Sequence, residues 1–208
     1  GDNDRIAALV AQLVGAEQLV LLTDTAGLFT ADPRSDASAT LIEVVAEIDG
    51  ALEAMATGSA SEVGSGGMAS KLAAARIATW SGVTVTIASA REPGVLADVV
   101  AGEAVGTRFL ARESTLSARK LWIAFALPSH GTLHVDAGAV EAITDGGSSL
   151  LAVGVAAVDG EFVAGQAVEV RGPDGALVAK GLVEVDASGL LGSGATVLHR
   201  DELVLLTR

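Results

Sequence analysis

Apolar side chains recur along the first half of the chain with two different spacings. Residues 5–14 (RIAALVAQLV) repeat them at helical spacing, which predicts a helix, and the all-apolar run Leu19–Leu22 predicts a buried strand. Further helical patterns lie at 48–56, 71–80 and 95–100, and a second buried strand is predicted at 83–88. Gly82 is the expected C′ glycine after the helix at 71–80. This order predicts an α/β fold with a parallel or mixed sheet covered by helices on both faces.

The pattern changes after about Arg112. A polar stretch and an apolar segment lead to Ser129-His130-Gly131, where we expect a domain boundary. Beyond it, short strands separated by glycine-rich turns predict a small, β-rich, barrel-like domain. The predicted strands are 132–135, 167–171, 177–184 and 202–207, with helices at 137–144 and 148–151. The predicted organisation is an α/β domain at 1–112, a linker at 113–130 and a β-rich domain at 131–208.

Charge and composition exclude several classes of function. The 208 residues include 13 basic and 26 acidic side chains, which give a formal net charge of −13. This charge repels nucleic acid and anionic membranes, so a phosphate ligand needs a local basic site with a metal ion. The chain has no cysteine, which excludes disulfides, thiolate metal sites and cysteine nucleophiles. No signal peptide opens the chain, and no apolar run approaches the roughly 20 residues of a membrane span, so we expect a cytoplasmic protein.

The glycine-rich stretch Gly66-Gly67-Met68-Ala69-Ser70-Lys71 passes directly into a helical pattern. Its glycines let the backbone turn closely, and the N–H groups at the start of a helix favour an anion. Lys71 adds a mobile positive charge in the first helical turn. A Walker A loop has Gly before the lysine and Ser or Thr after it, whereas Ser70 and Leu72 stand here. We predict a phosphate-binding loop; the alternative is a solvent loop that caps the helix.

Several short motifs follow one order along the chain. They are GDND at 1–4, LLTD at 21–24, GL at 27–28, ADPR at 31–34, GGMASK at 66–71, KLWI at 120–123, GSSLL at 147–151 and HRD at 199–201. In this order they resemble the bacterial glutamate 5-kinase family, in which an amino-acid-kinase domain precedes a PUA domain. The similarity extends over the whole chain, which resembles the C-terminal portion of family members.

The resemblance implies ATP-dependent phosphorylation of the γ-carboxylate of L-glutamate to glutamyl 5-phosphate, the first step of proline biosynthesis. The implied cofactors are ATP and Mg²⁺. A carboxylate is already a nucleophile at neutral pH, so positioning and charge neutralisation around the transferred phosphoryl group suffice. A Ser, His or Cys general-base system is therefore not required.

The family motifs also assign site residues. The resemblance implies that Asn3 and Asp4 bind substrate, that Asp4 and Lys71 act in catalysis, and that Thr23 and Asp24 bind nucleotide. The implied ATP-binding loop comprises Ser65, Gly66, Gly67, Met68, Ala69, Ser70 and Lys71, although Ala69-Ser70 varies a stretch that is often Ser-Thr. From the residues alone, Asn3-Asp4 also fits a helix N-cap and Thr23-Asp24 a strand exit. Asp32-Pro33-Arg34 fits ordinary turn chemistry as well as a loop near the adenine.

Family members begin well before the position that Gly1 matches. Their earlier segment supplies a first phosphate loop, further glutamate contacts and the loop through which proline inhibits, so we expect this chain alone to lack full turnover. Proline as a feedback inhibitor, the next enzyme of proline synthesis as a partner, and a homo-oligomer are further expectations from the resemblance. One alternative keeps the fold and changes the substrate to another acidic amino acid.

A second alternative is an RNA-binding or regulatory PUA module carried on a nucleotide-binding scaffold. Residues 131–208 hold 4 basic and 11 acidic side chains, a net charge of −7, and they contain Phe162 but no Tyr or Trp. RNA binding depends on phosphate neutralisation and on aromatic stacking, and this domain offers little of either. We therefore expect no RNA binding and favour a regulatory or interaction role for the domain.

Overall fold

The computed structural model describes residues 2–58, 67–113 and 116–206. It divides the chain into two compact units, Gly1–Leu116 and Ser117–Arg208, and each unit contains one sheet. Within the described ranges, no helix is both long enough and apolar enough to cross a bilayer.

The first unit is built on a mixed sheet, as the sequence predicts. Its described strands are β1 (Gln18–Thr23), β2 (Val44–Val45), β3 (Thr84–Ser89) and β4 (Thr107–Phe109), and its described helices are α1 (Asp2–Leu13), α2 (Gly50–Gly58), α3 (Met68–Trp80) and α4 (Val95–Ala101). The strand order is β1-β3-β4-β2, with β1 and β3 parallel and β4 antiparallel to β3. The short strands β2 and β4 were not predicted, because two or three residues are too few to show a period.

Two glycines end the helices that precede β1 and β3. Gly15 and Gly82 have φ angles of 64° and 82°, a left-handed conformation that glycine adopts without strain. At the end of α3, the N–H of Val83 donates to the carbonyl of Ala78, and the N–H of Gly82 donates to the carbonyl of Thr79. This is a Schellman motif, and it confirms Gly82 as the C′ glycine. Each helix therefore turns sharply into the strand that follows it.

Both faces of the first sheet are packed. Successive side chains of a strand point to opposite faces. Ile87 and Phe109 on one face are fully buried, and α3 contacts β3. On the other face, Ala88 packs against Val95 and Val99 of α4. The prediction of a sheet covered on both sides is confirmed.

The second unit is built on a six-stranded sheet with the order β6-β10-β9-β8-β5-β7. The strands are β5 (Gly131–Val135), β6 (Leu150–Leu151), β7 (Val155–Gly160), β8 (Ala167–Arg171), β9 (Leu177–Val183) and β10 (Thr196–Leu205). The described helices are α5 (Ala118–Leu121), a π-helix at Trp122–Ala126, α6 (Ala137–Thr144), and 3₁₀ turns at Ala152–Gly154 and Ala187–Gly189. One apolar core joins strands to helix, and it includes Leu133, Ile143, Val168, Val170 and Leu198.

Two predictions for the second unit are wrong. The helix predicted at 148–151 is absent, because Leu150–Leu151 pairs with β10 as a strand and buries Leu150 in the core. A short apolar run cannot be assigned to helix or strand by its period alone. The last strand covers Thr196–Leu205 instead of 202–207, because it continues through the polar residues His199, Arg200 and Asp201 with an irregular register.

A buried lysine forms hydrogen bonds at the end of the short helical segment at the start of the second unit. Lys180 of β9 is only 8% exposed. Its ammonium donates to the carbonyl of Leu127 at 2.6 Å and to the carbonyl of Ala124 at 3.4 Å. The last carbonyls of a helix have no partner within the helix, so a cation at this point satisfies them. Lys180 therefore fastens the end of the π-helix to the sheet.

Candidate functional site

Strands β1 and β3 end side by side, because they pair in parallel and reach Thr23 and Ser89 together. We call this end of the first sheet the carboxyl edge. Helices α1 and α3 contact β1 and β3, respectively, and each is joined to its strand by a tight turn. A helix that turns back onto the next strand runs antiparallel to it, so the first turns of α1 and α3 lie at the carboxyl edge. Open α/β sheets bind their ligands at this end.

Lys71, in the first turn of α3, forms an ion pair with Asp4, in the first turn of α1. The Lys71 ammonium lies 3.1 Å from Oδ2 and 3.3 Å from Oδ1 of Asp4. The hydroxyl of Ser70 donates to the same Oδ2 at 3.2 Å. The packing of α1 against α3 brings the three side chains together. Three of the residues that the motifs assign to the site are thus in direct contact.

This ion pair is largely withdrawn from water. The side chain of Lys71 is 10% exposed and that of Asp4 is 17% exposed. Both lie where the first turns of two helices meet, and helix N-termini carry a partial positive charge that favours anions. A phosphate group at this position would be attracted by the two helix ends and by the Lys71 ammonium. The arrangement is therefore suited to binding a polyphosphate.

Thr23 and Asp24 follow each other at the end of β1. The Thr23 hydroxyl donates to Oδ1 of Asp24 at 3.3 Å, and a guanidinium nitrogen of Arg34 lies 3.5 Å from Oδ2 of Asp24. The side chains of Asp24 and Arg34 are 60% and 62% exposed, so water screens this pair and its contribution to stability is small. The Asp24 carboxylate is open to a ligand or a hydrated ion at the carboxyl edge. The contact with Arg34 was missed, since only the folded loop brings the two together.

The remaining predicted site residues that the structure describes at α1 and α3 lie at or beside the first turns of the two helices. Gly67 precedes α3 in an extended conformation, and Met68 and Ala69 occupy the first helical positions. The N–H groups of Ser70 and Lys71 donate to the carbonyl of Gly67. The N–H groups before them, those of Met68 and Ala69, have no acceptor within a helix and can donate to an anion. Asn3 lies in the first turn of α1 with an exposed side chain. Ser65 and Gly66 lie outside the described residues.

The loop after β1 contains two tight side-chain turns. Oδ1 of Asp32 accepts a hydrogen bond from the N–H of Arg34 at 2.9 Å, so this segment has the turn chemistry considered for Asp32-Pro33-Arg34. Further along, the hydroxyl and the N–H of Ser38 donate to Oδ1 of Asp36 at 2.6 and 2.8 Å. These two hydrogen bonds lower the pKa of Asp36 below its ordinary value. The loop that brings Arg34 to Asp24 is therefore locally ordered.

Comparison with known proteins finds two family models that match successive parts of the chain. Residues 1–89 match the model of the amino acid kinase family, and residues 131–192 match the model of the PUA domain. The chain carries an amino acid kinase segment followed by a PUA domain. The carboxyl edge, with Asp4, Thr23 and Lys71, lies within the amino acid kinase match, and the PUA match covers strands β5 to β9 of the six-stranded sheet.

Glutamate 5-kinases from several bacteria match nearly the whole length of the chain. The chain is 45% identical to glutamate 5-kinase from Burkholderia multivorans over 99% of its own residues and 60% of that protein. It is 46% identical to glutamate 5-kinase from Nitrosospira multiformis, with the same coverage. The chain thus spans about 60% of the length of the curated relatives it matches. The resemblance to this family that the motifs indicated is confirmed.

A solved PUA domain from Aeropyrum pernix is also similar to part of the chain. Its sequence is 31% identical, and the match covers 34% of this chain and 43% of that one, with a TM-score of 0.30.

Proposed function

We propose that this chain supplies the nucleotide-binding side of a kinase that uses ATP to phosphorylate the γ-carboxylate of L-glutamate. The product would be glutamyl 5-phosphate, formed in the first step of proline biosynthesis. The observation that carries the proposal is the ion pair of Lys71 with Asp4 at two helix N-termini, in a chain 45% identical to glutamate 5-kinases. Such a site offers what phosphoryl transfer requires, which is a positioned positive charge near bound phosphates.

The reaction needs little covalent chemistry from the protein. An oxygen of the glutamate γ-carboxylate attacks the γ-phosphorus of ATP, and a new O–P bond forms. The bond between the γ-phosphorus and the bridging oxygen breaks, so that ADP leaves with that electron pair. The attacking carboxylate has no proton to lose at neutral pH. The protein must therefore hold the two substrates in line and stabilise the charge on the phosphate oxygens.

We assign the stabilisation of that charge to Lys71. Its ammonium is a compact charge on a flexible stem, and the Asp4 carboxylate is one of its partners. The triphosphate of ATP carries several negative charges, so it can compete with Asp4 for the ammonium. Asp4 would hold Lys71 in place before ATP binds and share it afterwards. Charge-assisted hydrogen bonds of this kind are stronger than those between neutral groups.

The acceptor side of the proposal involves the first turn of α1. We assign contact with glutamate to Asn3 and Asp4, on the resemblance of GDND to the family motif. Asp4 would then lie between the two substrates, because its carboxylate also contacts Lys71. A carboxylate in this position suits the ammonium group of an amino acid, which is a cation. The choice of glutamate over another acidic amino acid rests on the glutamate 5-kinase relatives.

Mg²⁺ enters the proposal as the ion that accompanies ATP. Asp24 fits this ion, since its carboxylate is a hard oxygen donor and its side chain is 60% exposed at the end of a strand. In the part of the chain that the structure describes, no group of three or more acidic or histidine side chains could hold a metal. This suits an ion bound mainly by phosphates and water. When bound, Mg²⁺ would offset the negative charge of the transferring phosphoryl group.

Four further parts of the proposal are carried over from the expectations that the sequence raised. They are a cytoplasmic location, a homo-oligomeric assembly, feedback inhibition by proline, and delivery of the labile acyl phosphate to the next enzyme of proline synthesis. The last has a chemical reason, because an acyl phosphate reacts readily with water and benefits from rapid consumption.

The test is formation of an acyl phosphate that depends on both ATP and glutamate, trapped as a hydroxamate with hydroxylamine. The assay is run on this chain alone and on the chain mixed with the part of the Burkholderia multivorans relative that it does not cover. Aspartate and N-acetylglutamate replace glutamate in parallel reactions, and binding of ATP to the chain is measured by calorimetry.

We expect ATP binding by the chain and hydroxamate formation with glutamate in the mixture. Hydroxamate formation with aspartate or N-acetylglutamate but not with glutamate would support a kinase activity with a different substrate. ATP binding without product from any acceptor would contradict the proposed reaction, and absence of ATP binding would contradict the nucleotide site itself.

A further inference from the structure

A buried hydrogen bond ties the loop after β1 to strand β4. The N–H of Leu28 donates to Oγ1 of Thr107 at 2.8 Å, and the two residues are 3% and 0% exposed. A buried N–H without a partner is costly, so this hydroxyl is a strong constraint on the path of the loop. No local pattern in the sequence marks Thr107, because Leu28 lies 79 residues away along the chain.

Two glycines allow the loop and the strand to approach this closely. A Cβ atom at Gly27 would lie 2.6 Å from Oγ1 of Thr107 and 2.9 Å from a methyl group of Leu41. Gly106, directly before Thr107, has a φ angle of 71°, and a Cβ atom there would overlap the carbonyl oxygen of Ile87. Both positions therefore exclude larger residues. The close approach depends on the two glycines, and the Thr107 hydroxyl provides the hydrogen-bond acceptor.

The contact lies close to the carboxyl edge. Strand β4 runs antiparallel to β3, so β4 begins near the edge at which β1 and β3 end. Thr107 lies opposite Ile87 in β3, and Ile87 lies opposite Leu21 in β1. Leu21 stands two residues before Thr23 on the same face of the sheet. The anchored loop is therefore the segment that leads the chain away from Thr23 and Asp24 and returns Arg34 to Asp24.

We propose that Thr107 is a positioning residue for the nucleotide site, which acts by fixing the loop that follows Thr23 and Asp24. This inference rests on the proposed function and deepens it, since it assigns to the same site a residue on a strand outside the matched motifs. Thr107 would not touch ATP. It would hold Leu28, and through the loop it would limit the positions that Asp24 and Arg34 can take when nucleotide binds.

Two substitutions test the hydroxyl of Thr107 separately from the size and shape of its side chain. In Thr107→Val, the side chain keeps its size and β-branching but offers no acceptor, so the N–H of Leu28 must find water and the loop must move. In Thr107→Ser, the acceptor is kept and one methyl group is lost. Thr86 of β3 is a matched control, because it is 2% exposed in the neighbouring strand and points to the opposite face.

The experiment measures the affinity of the full chain for ATP with Mg²⁺ by calorimetry, with urea unfolding of each variant to show that it is folded under the assay conditions. We expect Thr107→Val to weaken ATP binding by about 10-fold or more, the effect of losing roughly one buried hydrogen bond. We expect Thr107→Ser and Thr86→Val to stay within about 2-fold of the original chain, well below the change expected from an unpaired N–H.

A folded Thr107→Val variant with unchanged ATP affinity would overturn the inference and leave the proposed function intact. Equal losses of ATP affinity in Thr107→Val and Thr86→Val would also overturn it. The loss would then come from a general loss of stability and not from a change in the position of the loop. If Thr107→Val does not fold, Gly27→Ala takes its place, since a methyl group there displaces the loop from Thr107; unchanged ATP affinity in that variant would again overturn the inference. Absence of ATP binding by the original chain would refute the proposed function, and this inference with it.

Discussion

The ammonium of Lys71 already has a carboxylate partner in the described structure, and this determines how the residue can act. A lysine in open solvent would meet phosphate freely but would lose side-chain entropy on binding. Lys71 is instead held by Asp4 and buried to 10% exposure. Part of the ordering that the proposed phosphoryl transfer needs is therefore complete without ATP, because the side chain of Lys71 is already held in place.

At the residue scale, we predict that Lys71→Ala lowers phosphoryl transfer by about 100-fold or more, as removal of one preorganised charge or donor commonly does. The measurement is the rate of hydroxamate formation from ATP and glutamate, in whichever preparation shows activity. Urea unfolding of the variant should still be cooperative, since the helices keep their apolar contacts.

Lys120→Ala is the matched control for this prediction. The ammonium of Lys120 donates to the carbonyl of Arg200 at 3.3 Å in an exposed position of the second unit. Its replacement should leave the rate within about 2-fold, since exposed polar contacts contribute little. A Lys71→Ala variant with near-normal activity would refute the assignment of Lys71.

At the scale of single elements, short segments owe their structure to their neighbours. The π-helix at Trp122–Ala126 ends where Lys180 donates to the carbonyl of Ala124 within it and to the carbonyl of Leu127 directly after it. The strand Leu150–Leu151 exists because β10 offers it a pairing partner. Neither segment is long enough to be stable by itself, since short helices and isolated strand pairs are marginal in water. Tertiary contacts therefore decide the structure of both.

At this scale, we predict that Lys180→Met destabilises the second unit by about 1–3 kcal/mol, the usual range for leaving buried polar groups without a partner. Methionine matches the length of the lysine stem but cannot donate to the carbonyls of Ala124 and Leu127. The measurement is urea unfolding of the fragment 117–208 and of the full chain.

Lys120→Met is the control here, because it makes the same chemical change at an exposed lysine and should cost less than about 0.5 kcal/mol. Equal effects of the two substitutions would show that the buried carbonyls find other partners.

The longer elements of the first unit could be predicted from the sequence, and the short ones could not. The repeat at 5–14 and the apolar run at 83–88 carry their period within themselves, and both elements form. Strand β4 has three residues, and only its pairing with β3 defines it. The ion pair of Lys71 with Asp4 depends on how α1 packs against α3, which no local pattern encodes. The resemblance to a family assigned both residues to the site, but the contact between them required the structure.

At the scale of the whole molecule, the main feature is charge. The chain carries a formal net charge of −13, and residues 131–208 contribute −7 of it. An acidic surface repels polyanions at a distance, whereas a local cation can still hold one at close range. The chain thus combines a large net negative charge with the buried cation of Lys71, which we propose binds phosphate.

We predict that the chain does not bind structured RNA in a salt-dependent manner at micromolar concentration. The PUA domain has few cations to release counterions from the RNA backbone, and this release drives non-specific binding. The measurement is fluorescence anisotropy of a labelled RNA hairpin at low and moderate salt, on the full chain. Retention of the RNA that weakens with added salt would contradict the prediction and restore RNA binding as a function of the PUA domain.

The ion pair of Lys71 with Asp4 also affects which anions bind at the helix ends. A lysine that already shares its charge with a carboxylate attracts chloride or free phosphate only weakly, because a small anion must displace Asp4 for one new contact. A nucleotide triphosphate makes several contacts at once, so it can share the ammonium with Asp4. We therefore expect Asp4 to act as a filter that keeps common cellular anions out of the site and leaves it open to ATP.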